Sequence, residues 1–292
     1  MKLAVGPLLY YWEREAADRF YEAIAAAPVD IVYLGESVCS KRRTYRTVEW
    51  IALAERLRDA GKEVVLTTLA LTEAESELAV AARVAGQDGF LVEAKDLAVV
   101  ELRGGRPFVI GPHVNVYNPE TLRILAREGA TRWVAPVELG IEQLAALSAA
   151  RPAGLEMEVF AWGRMPLAVS ARCFTARAHH RAKDDCDFVC IRYPDGLTVQ
   201  TREDENFLTM NGVQVQSARI HNAIGWVPLL REIGVDVLRL SPAATGFFEI
   251  VRDFRAAADG GPVPDVPPDR EYCDGYLRGA AGMDWLAGAM RE

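Results

Sequence analysis

The chain has 292 residues, 50% of them hydrophobic, enough for one large barrel or two ordinary domains whose cores need no staples. A net charge of -8 argues against nucleic acid as a main partner, because phosphate binding needs a basic face. No apolar run nears the ~20 residues that span a bilayer, and Met1–Leu8 is too short for a signal segment before Glu13 and Glu15.

The chain is therefore expected in the cytoplasm, where thiols stay reduced. Lys2–Leu8 reads as a first strand. A helix follows with Ala17, Phe20, Tyr21 and Ile24 on one stripe, stopped by Pro28. Asp30–Glu36 is a second strand, and its helix carries Trp50, Leu53, Ala54 and Leu57 before Gly61. Glu63–Thr68 and Gly89–Glu93 are strands three and four, with an Ala-rich helix over Glu73–Ala85 between them and a short helix from Lys95. Phe108–Gly111 is strand five, and Asn118-Pro119 opens the next helix. Thr131–Pro136 is strand six, followed by a helix with Ile141, Leu144 and Ala145. Leu155–Phe160 is strand seven.

The rhythm then breaks until Val235–Leu240, strand eight. The intervening stretch holds three cysteines and a predicted hairpin, Asp187–Tyr193 with Leu197–Arg202, turned at Pro194-Asp195-Gly196. A helix with Trp226, Leu229, Leu230 and Ile233 resumes the pattern, and one with Phe247, Ile250, Val251 and Phe254 closes it. Eight strands each followed by a helix predict an α/β fold, a (β/α)8 TIM-type barrel or a distorted relative. A doubly wound open sheet is the alternative, weakened because no G-x-G-x-x-G or P-loop follows a strand. The barrel is assigned to residues 1–260, with a cysteine-bearing insertion at about 164–222. Residues 261–292 read as a Pro/Gly-rich linker and a tail that packs back on the barrel.

Cys39 lies just past strand two, and Cys173, Cys186 and Cys190 form a Cys-x12-Cys-x3-Cys run after strand seven. Both places fall on the barrel face that carries chemistry. Four thiolates from two loops can hold an iron–sulfur cluster or a structural zinc. Zinc sites usually show C-x2-C knuckles, absent here, so the spacing suits iron–sulfur better. Cys273 reads as a buried small hydrophobe outside this set. Lys41, Arg42, Arg43, Arg172, Arg177 and Arg181 flank the cysteines and predict an electropositive collar able to offset thiolate charge or hold an anion. Glu36, His113, Asn115 and Glu138 stand near strand ends, each an acid–base candidate but more simply a hydrogen-bonded structural group. The His179-His180 pair could join Cys173 and Cys186 in a mixed zinc site, though a loop pair facing solvent is the simpler reading. Trp162, Trp226 and Trp285 are weak candidates for partner anchors. No Ser-His-Asp or G-x-S-x-G arrangement occurs, so no catalytic residue is assigned.

The run from Glu158-Val159-Phe160-Ala161-Trp162-Gly163 to Cys173 resembles the signature of the collagenase-like peptidase family U32, in which an E-x-F-x-x-G strand leads into a cysteine-bearing loop. Met165-Pro166 stands where that family has an early cysteine. This departure, with Gly35–Arg42 upstream and the tail Cys273-Asp274-Gly275-Tyr276 with Gly279–Met283, is similar to the ubiquinone-biosynthesis branch of the family. The resemblance implies a [4Fe-4S] cluster on Cys39, Cys173, Cys186 and Cys190. It implies a heterodimer with a UbiU-like partner, oxygen-independent ring hydroxylation of ubiquinone-pathway intermediates, and prephenate as the anionic oxygen donor. Whether this chain is a catalytic subunit of that hydroxylase is left open, and peptidase activity is not implied. The alternatives are a peptidase-like hydrolase, a structural-zinc protein of the same family, and a non-catalytic cluster subunit.

Overall fold

A computed structural model describes residues 1–266 and 272–285. Seven strands run parallel in chain order: β1 (Lys2–Val5), β2 (Ile31–Leu34), β3 (Glu63–Thr67), β4 (Leu91–Ala94), β5 (Phe108–Ile110), β6 (Ala130–Val134) and the first part of β7 (Glu156–Val169). Three antiparallel strands follow, β8 (Leu197–Gln200), β9 (Asn206–Asn211) and β10 (Gln214–Asn222). The eighth parallel strand, β11 (Val237–Leu240), pairs with both β7 and β1 and closes the barrel. The predicted (β/α)8 architecture is present, and an open doubly wound sheet is excluded by that closure.

Helices α1 (Arg14–Ala26), α2 (Thr47–Asp59), α3 (Glu75–Ala85), α4 (Leu97–Arg103), α5 (Pro119–Arg127) and α6 (Ile141–Ala150) each follow a strand. The stripe Ala17, Phe20, Tyr21 and Ile24 of α1 is buried as its spacing requires. Phe20 and Ile24 each contribute on the order of 2 kcal/mol by that burial. At the start of α4, Asp96 accepts from the Ala98 amide at 2.6 Å, and at α5 Asn118 accepts from the Thr121 amide at 2.8 Å. Among the described residues no helix is long and apolar enough to cross a membrane.

Strand alternation sorts side chains into two cores. Leu3, Val5, Val32, Leu34, Val64 and Leu66 pack outward under the helices. Ala4, Ile31, Tyr33, Val65, Val134 and Val237 fill the barrel interior as a separate cluster. The same inward face of β4, β6, β7 and β11 also carries Glu93, Arg132, Glu158 and Arg239, all at most 4% exposed.

At the barrel's mouth β2 ends on Gly35, whose φ is +137° and whose missing Cβ would stand 2.6 Å from the Thr67 carbonyl oxygen. Gly35→Ala should cost roughly 1–3 kcal/mol through strain and clash. A urea titration with an unchanged midpoint would contradict that account of the turn.

Two local predictions need correction. Asp187–Tyr193 is not a hairpin arm. Asp187 (φ +45°) and Phe188 (φ +51°) are left-handed, and Val189–Arg192 forms a 3-10 turn. Two consecutive left-handed residues break extension and favour a tight bend. The Leu197 strand pairs instead with β9, with a second hairpin joining β9 to β10. Two of the three tryptophan anchors also fail: Trp162 and Trp226 are buried at 4% and 3% exposure, and the Trp226 indole donates to Asp274 at 2.9 Å. Trp285 is half-buried, its ring tilted 44° against Tyr272 with centroids 5.6 Å apart.

The tail re-enters the sheet through β12 (Tyr272–Cys273), parallel to β10. Residues 261–266 of the predicted linker carry no regular structure, and the rest of it lies outside the described residues.

Candidate functional site

The upper half of β7 leaves the barrel and pairs antiparallel with β10, forming a ribbon that rises past the mouth. Its end is fastened to the β9–β10 turn. Ser170 N–H donates to the Val213 carbonyl at 2.9 Å, Phe174 N–H to the Gly212 carbonyl at 2.8 Å, and Thr175 Oγ1 accepts from the Gly212 amide at 3.0 Å. Gly212, at φ +65°, is the residue this two-residue hairpin turn needs first. Cys173 sits at the head of the short helix α7 (Phe174–Ala178), and its sulfur accepts from the Ala176 amide at 3.4 Å.

Cys39 reaches the same place from the other side. The Glu36 carboxylate accepts from the amides of Ser37, Val38 and Cys39 at 3.1, 2.9 and 3.0 Å, curling the chain after β2. Burial raises the Glu36 carboxyl above its ordinary range, against the pull of Arg42 and these amides. Glu36 is therefore the structural group the simpler reading held it to be. Cys186 follows the turn Lys183–Asp185, and the left-handed bend at Asp187-Phe188 returns Cys190 toward it.

All four cysteines line one narrow, apolar-walled pocket with Lys41, Arg42, Thr175, Lys183 and Val189, and no carboxylate belongs to that wall. Burial raises the thiols of Cys39 and Cys190, and Arg42 opposes the rise at both. Among the described residues, no three His, Cys, Asp or Glu side chains converge tightly enough to hold a single metal ion. A lone ion needs donors about 2.3 Å from one point, whereas a four-iron cage spreads its thiolates over separate corners. Four thiols, three cations and no competing carboxylate fit the cage on donor chemistry.

Arg42 is the hub. It is 4% exposed and donates to the Leu9 carbonyl at 2.5 Å and to Asn211 Oδ1 at 2.6 Å. It thus joins the loop after β1, the Cys39 loop and the β9–β10 turn. The rest of the predicted electropositive collar is neutralised only in part. Lys41 is paired with Asp184, Lys183 with Glu73, and Arg181 with Asp187 at 2.6 Å, while Arg43, Arg172 and Arg177 face solvent. At the surface Lys41 and Arg181 each find a nearby carboxylate, so proximity in sequence overstated the charge left over. Neither His179 nor His180 lines the pocket, and His179 Nε2 shares a hydrogen bond with the Tyr193 hydroxyl at 2.8 Å. Cys273 is fully buried with Phe160 and Met165, and burial pushes its thiol up to about 12.

A second site lies at the barrel mouth. His113, Asn115 and Glu138 share there a cavity of about 310 Å³ with Lys95, Arg239 and Ser241. Beneath it runs a buried ion network that sequence reading missed. Arg239 donates to Glu158 at 2.6 Å and to Glu93 at 2.7 Å, and its guanidinium carbon lies 4.0 Å from the Tyr33 ring centroid. Tyr33 donates to Glu158 at 2.6 Å, Thr67 to Glu93 at 2.5 Å, and Lys95 stands 3.5 Å from Glu93. Burial alone would raise the Glu93 carboxyl, but Arg239, Lys95 and Thr67 outweigh it and hold it down at about 2. The missed signal was one charge inside each apolar run, as in Leu91-Val92-Glu93-Ala94 and Val237-Leu238-Arg239-Leu240.

Among solved structures, the U32 peptidase Mk0906 is 15% identical over 83% of this chain and 93% of its own, with a TM-score of 0.43. An O-GlcNAc hydrolase from Thermobaculum terrenum is 11% identical over 88% of this chain and 61% of its own, at 0.34. A truncated 3-deoxy-D-arabino-heptulosonate 7-phosphate synthase from Thermotoga maritima is 11% identical over 89% and 87%, at 0.35. The family model described as Peptidase family U32 matches residues 15–259, most of the chain, and the chain therefore belongs to Peptidase family U32.

Proposed function

We propose that this chain is a UbiV-like member of the family, a [4Fe-4S] protein serving oxygen-independent ring hydroxylation in ubiquinone biosynthesis beside a UbiU-like partner, with prephenate as oxygen donor. One observation carries the reading: cysteines from three separate segments, Cys39, Cys173, Cys186 and Cys190, line a single apolar pocket. Thiols scattered over about 150 positions of sequence do not meet there by local packing alone.

A cluster at this place supplies one-electron chemistry that side chains lack. The chain's own residues hold and shelter it. Glu36 fixes the Cys39 loop through three amides, and the β9–β10 turn fixes Cys173. Arg42 brings one buried positive charge against the thiolates, lowering the cost of gathering them. Leu9, Val38 and Val213 pack against Cys39 and Cys173 and keep water from that side.

Deleting the protein should abolish ubiquinone in cells grown without oxygen and leave it normal in air, where oxygen-using hydroxylases cover the step. Quantifying ubiquinone by mass spectrometry under both conditions tests this. Normal ubiquinone in the anaerobic deletion strain would reject the functional reading.

A further inference from the structure

The cavity at the barrel mouth carries hydrogen-bonding capacity that the protein does not use. Arg239 spends its Nε and Nη1 on Glu158 and Glu93, while its buried Nη2 has no partner among the described residues. The buried Ser241 Oγ is likewise without one. Both residues line the cavity, with Lys95 beside them. Leaving such groups unpaired costs about 1–3 kcal/mol each, so they mark a place where a ligand pairs them.

The unmet capacity is on the donor side. Glu93 and Glu158 already accept from Arg239, Thr67 and Tyr33. Glu138, the acidic residue of the wall, is exposed at the rim and accepts from the Tyr117 hydroxyl. Apart from His113 and Asn115, the remainder of the wall is mostly apolar, including Leu71, Val134 and Phe160. A volume of about 310 Å³ lies at the small end of ligand sites.

We propose that this cavity binds a small organic carboxylate with an apolar body, its oxygens taken by Arg239, Ser241 and Lys95. A guanidinium beside an ammonium meets a carboxylate with charge-assisted hydrogen bonds, about twice as strong as neutral ones. Leu9 and Val169 line this cavity and also pack with Cys39 and Cys173, so one layer of side chains divides the ligand from the cysteine pocket. The ligand's use rests on the function proposed above, whereas its binding does not depend on the cluster.

Calorimetric titration of the full chain with benzoate and with its neutral isostere benzamide tests the site. Benzoate should bind saturably and at least about tenfold more tightly than benzamide. Ser241→Ala should weaken benzoate about tenfold, as removal of one hydrogen bond to a charge does, with unliganded melting unchanged. Ala70→Phe, which puts bulk on the cavity wall, should abolish binding and leave iron content intact. Equal affinity for the two probes, no saturable benzoate binding, or unaltered binding in both variants would overturn the proposal. A Cys186→Ala protein should lose iron yet keep benzoate, which separates failure of this site from failure of the cluster reading.

Discussion

Arg239→Met should destabilise the protein by about 3–5 kcal/mol, the usual cost of removing one partner from a buried ion pair. Glu93 and Glu158 are both 0% exposed and both bonded to Arg239, so the variant leaves two buried carboxylates with only their more distant cations, Lys95 at 3.5 Å and Arg132 at 3.8 Å. Glu158→Gln in the same background removes one stranded charge and should recover part of the loss. A urea double-mutant cycle on these two positions measures the coupling. A loss below about 1 kcal/mol for Arg239→Met, the range of exposed ion pairs, would contradict the network as described.

Acid should weaken the fold before its ordinary carboxylates titrate. Burial holds His113 down at about 4, with Lys95 adding to the effect and Glu93 opposing it. Burial holds His221 down at about 4 as well, with Asp274 opposing. Each depressed group adds stability that is full above its unfolded pKa of ~6.5 and is lost as pH falls toward the folded value. Between pH 7 and pH 5 the two histidines together should remove roughly 3 kcal/mol. Glu93, at about 2, adds a further loss only below the ordinary glutamate range. Urea midpoints at pH 7 and pH 5, for the native chain and for a His113→Gln/His221→Gln variant, check this. The variant's midpoint should change far less with pH, and equal pH dependence of the two would contradict the assignment.

The barrel was legible because its outward strand faces and the helix stripes are apolar at regular periods, as with Val32 and Leu34 of β2 and Phe20, Tyr21, Ile24 of α1. The inward face was not. A period of two hides Glu93, Glu158 and Arg239 inside runs that read as hydrophobic, and only closure makes them neighbours. Among site residues, the four cysteines stood out by type, and the structure brings them to one pocket. Arg42 looked like any other member of a basic cluster. Its distinction comes from contacts with Leu9 and Asn211, the second 169 positions away, which no local pattern encodes. The Asp187–Tyr193 arm was misread because the run Phe188-Val189-Cys190-Ile191 has the composition of a strand, while the left-handed pair Asp187-Phe188 leaves no compositional mark.

The central claim is tested most directly by iron and acid-labile sulfide in protein purified without oxygen. The account predicts about four of each per chain, as a [4Fe-4S] cage requires. Cys39→Ala, Cys173→Ala, Cys186→Ala and Cys190→Ala should each lose both, and Cys273→Ala should keep them. Zinc in place of iron and sulfide, or full iron retention in the Cys186→Ala protein, would contradict it.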